Sequence, residues 1–245
     1  MSLLSKLFHP SVPLRPGEHL HMDMHAHWLP GIDDGAKTPE DTLALVGGLY
    51  DLGYRHLVAT PHCYPEFYPN TRDTIMAAYA SVEPLLRERF PDLTTGYAAE
   101  YFLDEAFQAL VGQQDLLPIT GNKVLVEFSF YAQPPQAEET FFQMQLKGYR
   151  PILAHVERYP YLFGQDKKLD RFRDMGVEFQ GNLLSLTGRY GPEVQKQALH
   201  LLRQGAYTWL GTDCHHAEHI AQLQEFRLSR ADARMVMEQG LNQIG

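Results

Sequence analysis

Four times along the chain a helical pattern ends at glycine and runs straight into an apolar segment. Leu49-Tyr-Asp-Leu-Gly53 leads into Leu57-Val-Ala-Thr60, and Leu146-Lys-Gly148 into Pro151-Ile-Leu-Ala154. Met175-Gly176 leads into Val177-Glu-Phe179, and Leu202-Arg-Gln-Gly205 into Tyr207-Thr-Trp-Leu210. Glycine just past a helix takes the left-handed cap conformation without a Cβ clash. Further strand-like segments lie around His21–His27, Thr95–Tyr101 and Val124–Phe128, for about seven strands. The intervening pattern predicts helices near 39–52, 72–89, 103–111, 135–147, 166–175 and 192–204, with one or two after 217. Thr38-Pro-Glu-Asp41 is a helix start: a capping hydroxyl, proline in the first turn and acids facing the positive dipole end.

Strands alternating with helices read as βαβ units with a parallel sheet. In 245 residues they favour a closed or nearly closed α/β barrel over a doubly wound open sheet. One domain over 1–245 is expected, with 1–18 as an N-terminal extension. Within that extension the apolar run Leu3 to Phe8 reads as a short helix packed on its own domain. Neither GxGxxG nor GxxxxGK[ST] follows the first strand, so nucleotide cradles have no support.

The ionisable residues interrupt this pattern in one place, the C-terminal ends of the predicted strands. They are His25 and His27, His62, Glu100, Glu127, His155, then Asp213 and His215. In a parallel barrel those ends share the face on which active sites are built. Alternation puts His21, Asp23, His25 and His27 on one side of their strand, so that His25 and His27 can share a metal while Asp23 orients a ligand ring. Glu127 lies inside Val124-Leu-Val-Glu-Phe128, where an unpartnered carboxylate is costly. Asp213 and His215 fall on one side of their segment, and Cys214 faces the other way as packing. Mixed imidazole and carboxylate ligands suit manganese, iron or zinc better than calcium or magnesium alone.

Composition changes the picture in two ways. Twelve histidines are about twice the ordinary share. Thirty acidic against 21 basic residues leave a net charge of −9, which argues against a nucleic-acid partner. Such acidity also repels anionic substrates, unless bound metal reverses the local sign. The two cysteines, Cys63 and Cys214, form no CxxC. No apolar stretch approaches the roughly 20 residues of a membrane span, and no signal-peptide core is present. A reducing, cytoplasmic setting without membrane insertion is expected.

Taken in order, His25-Ala-His27, His62, Glu100, Glu127, His155 and Asp213-Cys-His215 resemble the polymerase-and-histidinol-phosphatase (PHP) superfamily. More closely, His25-Ala-His-Trp-Leu-Pro-Gly-Ile-Asp-Asp-Gly35 and Ala154-His-Val-Glu-Arg-Tyr159 are similar to the manganese-dependent bacterial protein-tyrosine phosphatases that accompany capsule and exopolysaccharide operons. That resemblance implies a distorted seven-stranded PHP barrel with three divalent transition metals, Mn2+ first, with Fe or Zn as alternatives. The first metal would take His25, His27, Glu100 and Asp213. The second would share Glu100 and add Glu127 and His155. The third would take Asp34, His62 and His215. Arg158 matches a phosphate-contacting arginine. A second arginine, which the family often carries after its Asp-x-His motif, is missing from His216-Ala-Glu-His-Ile-Ala221. His216, His219 or Arg227 would then take over phosphate binding, or the two histidines are plain helix-start residues.

The activity so implied is hydrolysis of phosphotyrosine by a metal-bridging hydroxide, with a bacterial tyrosine kinase as partner. A small-molecule phosphomonoesterase such as histidinol phosphatase is the alternative reading. A nuclease is disfavoured by charge, and a non-catalytic metal module by the full set of ligands. Three divalent ions would bring about +6 against about −4 from four acidic ligands, so a phosphate dianion becomes welcome. A cysteine mechanism needs arginine six positions after the thiolate. Those positions hold Pro69 and Ile220, so neither cysteine fits. Tyr64, Phe67 and Tyr68 follow His62 in a proline-bounded loop, read equally as a lid over a substrate ring or as rim packing.

Overall fold

The computed structural model describes residues 11–243, so the Leu3–Phe8 run lies outside the described residues. The described chain opens on β1 (Ser11–Pro13), which pairs antiparallel with β11 (Arg227–Ser229). Two parallel sheets follow. One holds β2 (Asp23–Ala26), β3 (His56–Ala59) and β5 (Thr94–Tyr97) in the order β2-β3-β5. The other is a curled sheet of six: β4 (His62–Cys63), β6 (Glu100–Phe102), β7 (Lys123–Glu127), β8 (Arg150–Leu153), β9 (Glu178–Asn182) and β10 (Trp209–Gly211).

The expected set of seven continuous strands therefore differs from the observed one. The expected strand Thr95–Tyr101 is broken in the middle, at Ala98-Ala99, and the one at Leu57–Thr60 ends before Pro61, past which His62–Cys63 forms a further short strand in the other sheet. Pro61 has no N–H to give a ladder. Hydrogen bonds span the breaks, from Ala98 N–H to Ala59 O and from Glu100 N–H to Pro61 O. At the far edge Ala26 bridges Cys214. There Asp213 N–H donates to His25 O and His27 N–H to Cys214 O, at 2.8 and 2.9 Å.

Around the sheets run α1 (Pro39–Asp51), α2 (Arg72–Arg89), α3 (Glu105–Gln113), α4 (Ala137–Leu146), α5 (Asp166–Asp174), α6 (Leu183–Thr187), α7 (Pro192–Arg203), α8 (Ala217–Gln224) and α9 (Arg230–Glu238). All but the short α6 match expected helices. Thr38 caps α1 as expected, accepting from Asp41 N–H at 3.2 Å while the Asp41 carboxylate takes Thr38 N–H. Gly53, Gly148, Gly176 and Gly205 all have positive φ, as helix-terminating glycines should. None of the helices among the described residues is long and apolar enough to cross a membrane.

One local irregularity decides which way the first strand faces. Asp23 pairs with Leu57 and Ala26 with Ala59, so three steps on β2 match two on β3. That is a β-bulge, and it breaks the alternation on which the sequence reading relied. Met22 and Met24 join Val58, Ala98, Leu125, Ile152 and Trp209 in a small apolar cluster. Asp23 turns instead to Thr212, accepting from its N–H at 3.0 Å and its hydroxyl at 2.6 Å. Burial pushes the Asp23 pKa up to about 6. Asp23 thus orients no ligand ring, and His21 lies exposed before the strand begins.

Candidate metal centre

His25, within the bulge, and His27, beyond it, are fully buried. Their Nε2 atoms are 3.2 Å apart and converge on the same oxygens. Glu100 Oε2, at the start of β6, lies 3.2 Å from His25 Nε2 and 3.4 Å from His27 Nε2. Asp213 Oδ1 lies 3.5 Å from both. His155 Nε2 approaches Glu100 Oε1 at 2.9 Å and Glu127 Oε2 at 3.9 Å. His62 Nε2 and His215 Nε2 approach Asp34 Oδ1 at 3.6 and 3.4 Å. His62 Nδ1 also lies 3.1 Å from Glu100 Oε2 and from Glu127 Oε1, so it joins two of the three groups. All nine residues expected as ligands come together at the strand ends.

Hydrogen bonds on the far side of three rings, those of His25, His27 and His215, fix what their inner contacts are. His25 Nδ1 faces Gln180 Oε1 at 3.1 Å, His27 Nδ1 faces Asp33 Oδ2 at 2.8 Å, and His215 Nδ1 faces Asp213 O at 2.9 Å. Each outer partner is an acceptor, so each Nδ1 carries the hydrogen and each Nε2 presents a lone pair. Those lone pairs point at carboxylate oxygens. Acceptor against acceptor in a buried site needs a shared positive charge. A proton can supply it: burial opposes protonation of His25, yet Glu100 and Asp213 pull its pKa up to about 9. Burial likewise opposes ionisation of Glu100 and Asp213, but His25 beside them holds both well below the usual carboxylate range. A divalent cation supplies the same charge without a donor geometry. Glu100 Oε2 is buried and makes no directed hydrogen bond among the described residues, as suits a metal ligand. The donor set fits transition metals of the manganese, iron and zinc kind.

Two of these residues hold unusual backbone. His155 and Asp213 have φ of +30° and +51°, the left-handed region that costs a non-glycine residue about 1–3 kcal/mol. At the Asp33-Asp34-Gly35 turn, Asp33 Oδ1 accepts Gly35 N–H at 2.9 Å while Oδ2 holds the His27 ring. A Cβ at Gly35 would stand 1.9 Å from His27 O, so only glycine allows this approach. The segment is thus more than a loop turn, and Asp33 serves as the carboxylate that Asp23 was expected to be.

A cleft of about 320 Å3 opens onto these residues. Besides six of the residues expected as ligands it is lined by Phe130, Arg158, Arg189, Tyr190, His216 and His219. The Arg158 guanidinium donates to Asp213 Oδ2 at 3.1 Å and lies over the rings of Tyr190 and Phe130, 4.1 and 4.8 Å from their centroids. His219 Nδ1 accepts His215 N–H at 3.1 Å, which leaves Nε2 as its donor. Burial and nearby Arg189 bring its pKa down to about 4, so it is neutral. Arg227 stands elsewhere: it is held on Ser11 O at 2.8 Å in the β1–β11 ribbon. Arg189, not singled out from sequence, pairs with Glu218 at 3.0 Å on the cleft wall.

Tyr68 stacks on His62 with centroids 5.3 Å apart, and Tyr64 on Phe102 at 4.0 Å; Phe67 is exposed. Two of the three loop aromatics therefore pack on the rim. Both cysteines are buried, and burial pushes Cys63 up to about 12 and Cys214 well above the ordinary thiol range. Neither is a thiolate near neutral pH. A larger groove of about 1,050 Å3 at the start of β8 and β9, beside Arg150 and Glu178, contains none of the residues expected as ligands.

Gln180 and Asn182 were also passed over. Both are polar, buried and at the end of β9, so the strand-end rule applied to Phe179-Gln-Gly-Asn182 would have found them. Arg189 had no such signal, because its place depends on how the loop after α6 folds back.

The chain is 30% identical over 200 residues to the tyrosine-protein phosphatase YwqE of Bacillus subtilis, covering 80% of this chain and 78% of that one. It is 26% identical over 203 residues to the tyrosine-protein phosphatase CpsB of Streptococcus pneumoniae, covering 80% and 84%. A solved chain from the crystal structures of YwqE and CpsB, described as unique metal-dependent tyrosine phosphatases, superposes with a TM-score of 0.76 at 25% identity, covering 91% of this chain and 88% of that one. Histidinol phosphate phosphatase of Lactococcus lactis, with a TM-score of 0.56, 16% identity and 90% and 94% coverage, shares the fold. A family profile described as capsular polysaccharide synthesis, CpsB/CapC, matches residues 21–229, and the chain belongs to that family.

Proposed function

We propose that the protein is a cytoplasmic, metal-dependent tyrosine phosphatase that acts on phosphotyrosine in a bacterial tyrosine kinase. The observation that carries this is the convergence of imidazole lone pairs and carboxylates beside Arg158 in one cleft. We assign three divalent cations, with Mn2+ first: one to His25, His27, Glu100 and Asp213, one to Glu100, Glu127 and His155, and one to Asp34, His62 and His215. The two sheets and the hydrogen bonds joining them are read as one domain, a distorted seven-stranded barrel of PHP type. When bound, the cations supply Lewis-acid charge for the phosphate and acidify a water.

The chain's own groups do the rest. Arg158 lies over the rings of Phe130 and Tyr190 and offers its free N–H groups to phosphate oxygens. Arg189 supplies the second cationic group by exchanging the exposed Glu218 for the dianion. Neutral His219 offers an Nε2–H, and His216 a ring at the same opening, to a phosphate or leaving oxygen. A phenolate leaves without full protonation, so that donor assists more than it decides. Phe130 and Tyr68 give the substrate ring aromatic surface at the rim.

The test is turnover by the Mn2+-loaded protein on a phosphotyrosine peptide, a phosphoserine peptide and histidinol phosphate. Preference for the phosphotyrosine peptide is expected. A decisive preference for histidinol phosphate would reverse the substrate assignment. Full activity after exhaustive chelation would overturn the metal assignment.

A further inference from the structure

Strand β9 supplies no ligand to the centre, yet its last polar side chains touch three ligands. Gln180 and Asn182 are almost completely buried. Gln180 Oε1 accepts His155 N–H at 2.7 Å and faces His25 Nδ1 at 3.1 Å. Gln180 Nε2 donates to Asn182 Oδ1 at 2.8 Å, and Asn182 Nδ2 donates to Asp213 Oδ2 at 2.7 Å. The chain begins at a backbone N–H, which can only donate. It ends at a carboxylate oxygen engaged by two donors, Asn182 and Arg158. Neither amide can therefore flip, and the polarity of the whole series is unique.

We infer that Gln180 and Asn182 form an amide relay that positions His25, His155 and Asp213 to bind metal. Three consequences follow from its polarity. At His25 it keeps the hydrogen on Nδ1 and turns the Nε2 lone pair inward. At Asp213 it occupies Oδ2 and leaves Oδ1, the oxygen 3.5 Å from both His25 and His27, for coordination. It also grips both left-handed ligands, His155 by its backbone N–H and Asp213 by its side chain. Asn182 is held in turn, its N–H donating to the buried Glu157 carboxylate at 2.8 Å. A Cβ at Gly211 would stand 2.7 Å from His25 Cβ and 3.1 Å from Gln180 Nε2, so the neighbouring strand leaves room for the pair. The relay thus links the first two proposed metal positions without belonging to either. Gln180 and Asn182 are positioning residues, not ligands.

This inference rests on the metal-centre reading, and one experiment separates the two. Mn2+ affinity is measured by chelator competition on the full chain, for wild type, Gln180→Met, Asn182→Ala and the double variant, with the melting of each metal-free protein followed by circular dichroism. Each single change is expected to weaken Mn2+ binding by about 10–100-fold. A relay couples the two sites, so the double variant binds little worse than Gln180→Met. Should Gln180→Met fail to fold, Gln180→Glu replaces it. It keeps the acceptor for His155 and His25 but offers Asn182 no donor, so adding Asn182→Ala should then cost nothing further. Losses that multiply in the double variant, or wild-type affinity in the singles, overturn the relay. Failure of the wild-type chain to bind Mn2+ overturns the metal reading itself.

Discussion

Leu125 and Glu127 lie two residues apart on one side of β7, yet they occupy different media. Leu125 packs among Met24, Val58, Ile152 and Trp209. Glu127 meets imidazoles. Ala98 and Glu100 repeat the same step across the break between β5 and β6. The lower layer gains stability from burial and gains nothing from a ligand. The upper layer is a set of buried charges whose balance depends on what lies between them. Stability and chemistry are thus divided by one pleat, and damage to either should leave a different signature.

The sharpest break in this comparison is Glu100→Gln. It removes charge shared by two proposed cations, and activity should fall by about a thousandfold or more. The metal-free protein should still fold, losing no more than the stabilisation that Glu100 lends to protonated His25. A parallel collapse of folding would show that the upper layer also carries the scaffold. Leu125→Ala is the mirror image. It should destabilise by about 2–5 kcal/mol in a denaturant titration, while the folded fraction keeps its Mn2+ affinity. Within the upper layer, Arg158→Met should lower turnover by about 100-fold. Arg189→Met should act mainly on KM, by about tenfold if its gain is that of one partly exposed ion pair. Equal effects of the two would move Arg189 into the same role as Arg158.

The finest test is of pH. His25 has its pKa raised from the ordinary 6.5 to about 9. Its protonation stabilises the metal-free fold fully below 6.5, and that stabilisation is lost as pH rises toward 9. Cations compete with those protons, so stabilisation by Mn2+ should grow over the same window. Melting curves with chelator and with Mn2+ should therefore diverge as pH rises from 6.5 to 9. Parallel curves would mean that the His25 proton and the metal do not share a place.

The upper layer was largely legible because its residues are expensive. A histidine or carboxylate at the end of an apolar strand needs a reason, and His25, His62, Glu100, Glu127, His155 and Asp213 each broke such a pattern. Helix ends were legible through local chemistry, such as the Thr38 cap and the glycines at 53, 148, 176 and 205. What escaped depends on tertiary contact. The bulge between Asp23 and Ala26 leaves no mark in composition, so Asp23 was given the work of Asp33 and Gln180. The break at Ala98-Ala99 divided a strand that read as continuous, and the short strand β4 past Pro61 went unread. Arg189 reaches the cleft from a loop whose path no periodicity encodes.

That bulge also says how the two layers could have arisen together. Strict alternation on β2 cannot send both Met24 and His25 toward the enclosed side. One additional residue lets a scaffold-facing strand hand over to a chemistry-facing one within a single peptide step. Ironing out the bulge while keeping every residue would restore strict alternation and put Asp23 on the same face as His25 and His27. Either the aspartate would be pressed into the apolar layer beside Val58 and Trp209, or the histidines would be carried away from Glu100. The metal centre is therefore encoded by a frame as well as by a list of ligands, and a reading that recovers every ligand can still miss the frame.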